Sequence, residues 1–222
     1  AMQPFDPEFV WTYEAGFKSS TADRRLVLNG AMFFSDYSNM QLLAISMDNF
    51  GGIVALVETA GAAEIKGFEL EMNAIPVRNL RVDAGIGFID AKYTQLDANV
   101  TSITLDSELV KTPKWTLNFG GEYTVPLLAS FGATLRADYS YRTRTEHVAD
   151  NNPLLTQDAY GLLNLRLSFA PNDGPWELAV FGTNMTDELY ITNGLSQFDT
   201  LGSTDATYGR PRDWGVMAKW AF

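Results

Sequence analysis

The chain is organised by long runs in which apolar and polar residues alternate. Between residues 115 and 123, for example, Trp115, Leu117 and Phe119 are separated by Thr116 and Asn118. Alternation with a period of two gives a β-strand one apolar face and one polar face. Comparable runs begin near residues 11, 25, 64, 80, 115, 133, 163, 176 and 213. The sequence therefore predicts an all-β fold of about nine strands, with nearly no helical periodicity.

The predicted strands are longer than those of most soluble proteins. Each has the length to cross a bilayer at a tilt, which takes roughly 9 to 11 residues, whereas soluble strands average about 5 to 6. Tight turns are predicted at 21–24, 75–79 and 171–174, and long loops near 46–62, 95–111, 146–158 and 191–207. Short turns at the periplasmic end and long loops at the extracellular end are typical of outer-membrane barrels. The pattern predicts a transmembrane antiparallel β-barrel without a second domain.

The polar faces of these strands carry charges that a dry core would not tolerate. Glu69, Glu71 and Arg136 are examples, and an unpaired buried charge costs several kcal/mol. Aromatic residues cluster towards the strand ends, at Trp11, Tyr13, Tyr139, Tyr141, Trp176, Trp214 and Trp220. Rings at strand ends either pack in a core or lie at the level of lipid headgroups. Together with the charged opposite face, they favour hydrocarbon on one side and a water-filled or plugged lumen on the other.

Composition removes several function classes. The 222 residues include no cysteine and one histidine, His147, which leaves no thiolate site and no multi-histidine zinc site. The formal net charge is −11 with only 16 Lys and Arg residues, so no nucleic-acid partner is expected. No apolar stretch reaches the roughly 18 residues of a membrane-spanning helix. Residues 1–6 do not resemble a signal peptide, so we expect a mature protein or an internal piece of a longer precursor.

Six sequence blocks, in order along almost the whole chain, resemble the C-terminal barrel of TonB-dependent receptors. One is Gly182-Thr183-Asn184-Met185-Thr186-Asp187-Glu188-Leu189-Tyr190, which is similar to the family's N-L-x-D-x-x-Y block. The others are Pro7-Glu8 with residues 13–18, and the segments 33–37, 66–71, 112–115 and 208–212. The closing Ala221-Phe222 resembles the C-terminal signal that barrel-assembly machinery reads, which makes Phe222 the expected assembly signal.

The resemblance implies a 22-stranded barrel whose lumen is filled by an N-terminal plug. Residues 1–222 are then expected to be the C-terminal portion of the barrel domain, without the plug, its energy-coupling box and the N-terminal strands. About nine antiparallel strands cannot close on themselves without a parallel seam, and open edges in lipid leave backbone groups unsatisfied. We therefore expect missing residues or another chain to complete the barrel.

The function implied by the resemblance is active transport across the outer membrane of a Gram-negative bacterium, not catalysis. Extracellular loops would capture a scarce nutrient, with a siderophore–iron complex as the first candidate and cobalamin or a saccharide still open. Energy would come from TonB acting on the plug. The lipid bilayer, lipopolysaccharide and the barrel-assembly machinery are the other expected partners, and no cofactor is expected.

Two groups of residues are candidates for a role in transport. Those on the polar strand faces would contact the plug or line the path, or would form only a solvated wall: Glu69, Glu71, Arg136, Asp138, Asn164 and Arg166. Those in the loops would contact the ligand or be exposed bystanders: Phe50, Arg144, His147, Tyr190 and Phe198. No metal site is predicted, because the loop acids match no EF-hand spacing.

Two other classes compete with the transporter interpretation. An outer-membrane hydrolase would need a histidine base beside a nucleophile, but His147 is the only histidine and no G-x-S-x-G motif occurs. A soluble carbohydrate-binding β-sandwich would bury one face of each strand against a second sheet. Such packing of the apolar row at 163, 165, 167 and 169 would exclude a barrel.

Overall fold

The protein is built around one large antiparallel sheet. The structure, a computed structural model, describes residues 7–47, 53–97, 100, 103–172, 174–197 and 201–221, apart from the side chains of 42–47, 53–58 and 60. The sheet has nine strands in the order β1-β2-β3-β4-β5-β6-β9-β10-β13. Their bounds are β1 Phe9–Ser20, β2 Leu26–Met47, β3 Ile53–Ala74, β4 Leu80–Leu96, β5 Trp115–Leu128, β6 Phe131–Arg142, β9 Tyr160–Pro171, β10 Trp176–Thr183 and β13 Asp213–Trp220. The predicted all-β fold of about nine strands is confirmed.

Four short strands lie in the connections between the long ones. They form two separate hairpins, β7–β8 and β11–β12. Their bounds, with that of a single 3-10 turn, are β7 Thr145–Glu146, η1 Pro153–Leu155, β8 Thr156–Gln157, β11 Ile191–Gln197 and β12 Ser203–Tyr208. The sequence analysis treated these segments as loops, which was wrong. Two residues are too few to show an alternation, and the small and polar composition of β11 hides it.

Strands β2 and β3 are 22 residues each and continue into the segment 46–62. The prediction of a long loop there was therefore wrong. The pairing register shifts between Tyr37 and Met40, and Asn39 adopts a left-handed φ of 54°. A bulge of this kind switches side chains between the two faces, so the simple alternation in the sequence ends where the strand does not.

The pairing register gathers the apolar alternating residues on one face of the large sheet, the outer face. One row across it pairs Leu135 with Leu167, Leu167 with Val180, and Val180 with Val216. Each of these four side chains is at least 38% exposed. In the parts of the chain that the structure describes, no second sheet covers this row, because the two other sheets are the short loop hairpins. An exposed apolar face of this extent suits hydrocarbon and contradicts the β-sandwich alternative.

Aromatic rings lie at both ends of the outer face. At the end of the tight turns, Trp176 pairs with Trp220, and its ring centroid lies 5.7 Å from that of Phe131. At the loop end, the ring centroids of Phe88 and Trp115 are 4.7 Å apart. Two such levels correspond to the aromatic girdles of outer-membrane barrels. Separately, none of the helical segments in the described ranges is long and apolar enough to cross a membrane.

Candidate functional site: the lumenal face and the loop cluster

The face opposite the outer face, here called the lumenal face, carries the polar residues. The register pairs Arg136 with Glu122 and Arg166, and it pairs Asp138 with Asn164. Glu69 and Glu71 lie on the same face, opposite Gly87 and Gly85. All six residues predicted to face the lumen therefore share one surface, although their environments differ.

On strands β4 to β10 the charges of the lumenal face neutralise one another. The Arg136 guanidinium donates to the Asp138 carboxylate, with Nε 2.9 Å from Oδ2, and also lies 3.3 Å from Asp83 Oδ1. Arg166 Nη2 lies 2.7 Å from Glu177 Oε1. These pairs are between 29% and 43% exposed, so solvent screens them and each contributes at most about 1 kcal/mol. Arg136 and Arg166 thus already have carboxylate partners within the sheet.

On strands β1 to β3 the lumenal carboxylates are not paired. Glu14, Glu69 and Glu71 line an open cavity of about 450 Å3 together with Lys18. Within the described residues, none of the three carboxylates lies within 4.0 Å of a cationic group, and Lys18 also forms no ion pair. We call this region the acidic cavity. Its three carboxylates outnumber its single ammonium, so it carries net negative charge.

Two of the family-like sequence blocks, 182–190 and 208–212, contact each other in one corner, where β10 ends and β13 begins. Asn184 is 4% exposed; its Nδ2 donates to the carbonyls of Glu188 and Arg210 at 2.9 and 3.1 Å. Its Oδ1 accepts the Glu188 backbone N–H at 2.9 Å, and its own N–H donates to Asn164 Oδ1 at 3.0 Å. Asn164 thus acts as a cap for this corner. Asn184, the Asn of the family-like block 182–190, therefore joins the two ends of the connection between β10 and β13 by hydrogen bonds.

The β4–β5 loop folds inward over the loop end of the lumenal face. Its residues Ile103 and Leu109 are 4% and 6% exposed and pack in one cluster with Ala63 and Tyr93. Ala63 and Tyr93 are paired residues of β3 and β4 on the lumenal side. The β4–β5 loop therefore covers the loop end of β3 and β4 on the lumenal side. The sequence did not indicate this packing.

Hydrogen bonds join the three long connections into one body, which we call the loop cluster. Asn151 Oδ1 accepts the Glu108 N–H at 2.7 Å, and Asn151 Nδ2 donates back to the Glu108 carbonyl at 3.0 Å. Ser196 Oγ donates to Asp150 Oδ2 at 2.7 Å. The first contact links the β4–β5 and β6–β9 connections, and the second links the β6–β9 and β10–β13 connections.

Glu146 is the most deeply buried charged residue of the loop cluster. Its side chain is 0% exposed; one carboxylate oxygen accepts from Arg144 Nη2 at 2.5 Å and the other from Thr156 Oγ1 at 2.8 Å. Arg144 was predicted as a ligand contact. In the structure its guanidinium forms an ion pair with Glu146 of β7, and the Thr156 hydroxyl of β8 donates to the same carboxylate.

Cationic and aromatic side chains meet at the loop end of the lumenal face. The rings of Tyr160 and Tyr190 are stacked with centroids 4.8 Å apart, and the Arg142 guanidinium carbon lies 5.5 Å from the Tyr160 centroid. Lys111 approaches from the β4–β5 loop, where its N–H donates to the Glu146 carbonyl at 2.9 Å. Lys111 has a left-handed φ of 58°, which costs a residue with a side chain about 1 to 3 kcal/mol.

His147 lies beside this group with both ring nitrogens buried and without a well-formed hydrogen bond in the described structure. Burial lowers the pKa of His147, and the positive charges of Lys111 and Arg142 lower it further. The Ile191 backbone and the Glu146 carboxylate oppose part of this pKa shift. The imidazole is therefore neutral at pH 7 and has one N–H donor and one acceptor nitrogen to offer.

Three of the five predicted loop contacts lie in the described part of the chain: Arg144, His147 and Tyr190. Phe50 and Phe198, like the expected assembly signal Phe222, lie outside the described residues. The prediction missed Lys111, Arg142 and Tyr160. Arg142 and Tyr160 end alternating runs on the lumenal side, which was a usable signal, whereas nothing local marks Lys111. Across the described ranges, no group of three or more His, Asp or Glu residues is placed to hold a metal ion.

The family described as "TonB dependent receptor-like, beta-barrel" matches residues 2–185 of the chain. The chain therefore belongs to the TonB-dependent receptor family, whose members are outer-membrane β-barrel receptors of Gram-negative bacteria. The resemblance read from the six sequence blocks is confirmed.

The chain is similar in sequence to a curated receptor and in fold to solved receptor structures. The metal-pseudopaline receptor CntO of Pseudomonas aeruginosa (strain UCBPP-PA14) is 32% identical over 123 residues, which are 55% of this chain and 16% of that protein. The ferric yersiniabactin uptake receptor FyuA from Yersinia pestis superposes with a TM-score of 0.80 at 20% identity, covering 99% of this chain and 31% of that one. The siderophore receptor PiuA from Acinetobacter baumannii gives 0.72 at 21% identity, covering 96% and 28%.

These similarities establish the fold rather than a ligand. The chain spans 16% of the length of CntO and 31% of FyuA. The relatives are named as receptors, and none of the three is named as an enzyme.

Proposed function

We propose that the chain is the C-terminal portion of the barrel domain of a receptor that imports a siderophore–metal complex, with iron the first candidate metal. The supporting observation is the loop cluster, which brings cationic and aromatic side chains over the lumenal face of a sheet shaped like those of siderophore receptors. The hydrolase alternative finds no support, because neither ring nitrogen of His147 contacts a nucleophile in the described structure. The protein is accordingly proposed to transport and not to catalyse.

Further strands are proposed to complete the barrel. Strands β1 and β13 are the edges of the nine-stranded sheet and do not pair with each other in the described residues. An edge in hydrocarbon leaves backbone groups unsatisfied at several kcal/mol each. Strands from elsewhere in the receptor would pair both edges, and lipid and lipopolysaccharide would cover the outer face. Phe222 is proposed as the signal for the barrel-assembly machinery.

A plug domain is proposed to occupy the lumen and to couple it to TonB. The acidic cavity supports this, because Glu14, Glu69 and Glu71 have no cationic partner among the residues that the structure describes. Arginine or lysine side chains of a plug would neutralise them, whereas the ion-paired wall around Arg136 needs no such partner.

The test is uptake by the full-length receptor in its own host. A strain lacking the receptor gene would be compared with the complemented strain for growth under iron limitation and for uptake of radiolabelled iron from purified ferric siderophores. We expect the deletion to abolish uptake of at least one chelate, and loss of TonB to abolish the same uptake in the complemented strain. Equal uptake of every chelate with and without the receptor would contradict the proposal, and so would uptake that persists without TonB.

A further inference from the structure

The cations of the loop cluster and the lumenal face fall into two kinds. Arg136, Arg144 and Arg166 each contact a carboxylate within 3.3 Å. Lys111 and Arg142 contact none within 4.0 Å among the residues that the structure describes. What sets these two cations apart in a chain of net charge −11 is their position, because both lie close enough to His147 to lower the pKa of its ring.

Lys111 is held in a fixed position rather than extended freely into solvent. Its backbone donates to the Glu146 carbonyl at 2.9 Å, its φ is left-handed, and its Nζ donates to Asn193 Oδ1 at 3.2 Å. The only polar partner of the ammonium in the described structure is thus a neutral amide. Because His147 follows Glu146 directly, the same backbone contact brings Lys111 beside the imidazole.

Arg142 is positioned by strand pairing and by an aromatic ring. It pairs with Thr116 and Tyr160 on the lumenal side of β6, and its guanidinium lies over the Tyr160 ring. Tyr160 is 7% exposed and is stacked on Tyr190. A guanidinium on a ring face keeps N–H donors at its edge, which can form two parallel hydrogen bonds to a carboxylate.

We propose that Lys111, Arg142 and His147 form a subsite that binds carboxylate groups of an anionic metal chelate. This inference rests on the proposed function and names the charge class of its ligand. Lys111 and Arg142 would supply charge-assisted hydrogen bonds, and the neutral His147 ring, whose nitrogens are buried, would line the subsite without adding a charge. A chelate without carboxylates would leave both cations desolvated and unpaired, so the subsite discriminates against it.

The experiment measures binding and uptake by the full-length receptor with two sets of probes. Ferric citrate and ferric aerobactin carry carboxylates, whereas ferrioxamine B and ferrichrome are hydroxamate chelates without them. Variants Lys111→Gln and Arg142→Gln are each expected to weaken the binding of a carboxylate chelate by at least about tenfold. They are expected to leave any binding of the hydroxamate chelates unchanged.

Two further variants separate a charge effect from a structural one. Lys92→Gln removes a cation of the outer face that pairs with Glu64 at 3.2 Å, and it is expected to bind like wild type. Arg142→Lys keeps the charge and is expected to retain most of the affinity that Arg142→Gln loses.

Each remaining outcome overturns the inference. Wild-type uptake of hydroxamate chelates alone, or carboxylate-chelate affinity that is equal in wild type and both Gln variants, would overturn it and leave the proposed function standing. Uptake of no chelate of either set by the wild-type receptor would overturn both.

Discussion

The outer and lumenal faces are formed by the same nine strands but differ in what they require of their residues. The apolar band of the outer face is uniform: rows such as Leu135, Leu167 and Val180 repeat one property, and any large apolar side chain would serve. The lumenal face has distinct regions, with unpaired carboxylates on β1 to β3, self-neutralised pairs on β4 to β10 and unpaired cations at the loop end. One property thus describes the apolar band of the outer face, whereas each region of the lumenal face has its own arrangement of charges.

The largest effect is expected when a charge is placed on the outer face and compared with the same charge on the lumenal face. Leu167→Arg puts a guanidinium on the outer face, and at the middle of a bilayer this costs about 2 to 4 kcal/mol. Ser168→Arg puts the same group on the lumenal face one residue later, where water or polar groups can solvate it. Denaturant unfolding of the full-length receptor in lipid vesicles would measure both. Equal destabilisation by the two variants would contradict the assignment of the faces.

A second test concerns the corner at Asn184. Asn184→Ala removes its side-chain hydrogen bonds and leaves the partly buried Glu188 N–H without its acceptor, which we expect to cost about 1 to 3 kcal/mol locally. Hydrogen exchange of residues 184–212 would report the loosening. The matched control is Asn172→Ala in an exposed turn, where only a bond to the Ala129 carbonyl is lost. Equal protection in both variants would show that Asn184 does not hold the loop.

Sequence alone predicts the outer face well because its chemistry is periodic and local. Between Leu163 and Phe169 the alternation of apolar and polar residues assigns each side chain to a face of the sheet. The number of strands, their pairing direction and the membrane-facing side follow from the same pattern. The bulge at Asn39 interrupts that logic, and there the prediction of a loop over 46–62 was wrong. A bulge shifts which residues face each side of the sheet, so the alternation is interrupted although the strand continues.

The loop cluster lies beyond such prediction because it depends on contacts between distant segments. Lys111 meets Glu146 and Asn193, and nothing near Lys111 in the sequence indicates either contact. Arg144 is a second example: the sequence does not indicate its ion pair with the buried Glu146, and its role as a ligand contact stays a prediction. Which charges are paired within the chain is decided by tertiary structure.

A third test separates the paired and unpaired parts of the lumenal wall. Arg136→Gln leaves Asp83 and Asp138 facing each other, and because the group is partly exposed we expect a loss of at most about 1 kcal/mol in barrel stability. Glu69→Gln removes a carboxylate without a partner and should leave barrel stability unchanged. Its effect should appear instead as faster hydrogen exchange or proteolysis of the proposed plug. If Arg136→Gln increased hydrogen exchange or proteolysis of the proposed plug as much as Glu69→Gln, the acidic cavity and the ion pairs around Arg136 would not differ in role.

The smallest expected effect is the pH response of the loop cluster around His147. Since burial, Lys111 and Arg142 lower the pKa of His147 below its usual value of 6.5, the folded loops favour the neutral ring. This contribution is fully present above about pH 6.5 and is lost as the pH falls through the lowered pKa, because protonation then places a positive charge beside those of Lys111 and Arg142. Glu146 offsets only part of that charge, since Arg144 and Thr156 already contact its carboxylate. The hydrogen-exchange protection factors of residues 143–159, which correct for the intrinsic pH dependence of exchange, should therefore fall between pH 7.5 and pH 5 in the wild type, with most of that fall absent in His147→Gln. An identical fall in the variant would assign the response to other groups and remove His147 from the account of the lumenal face.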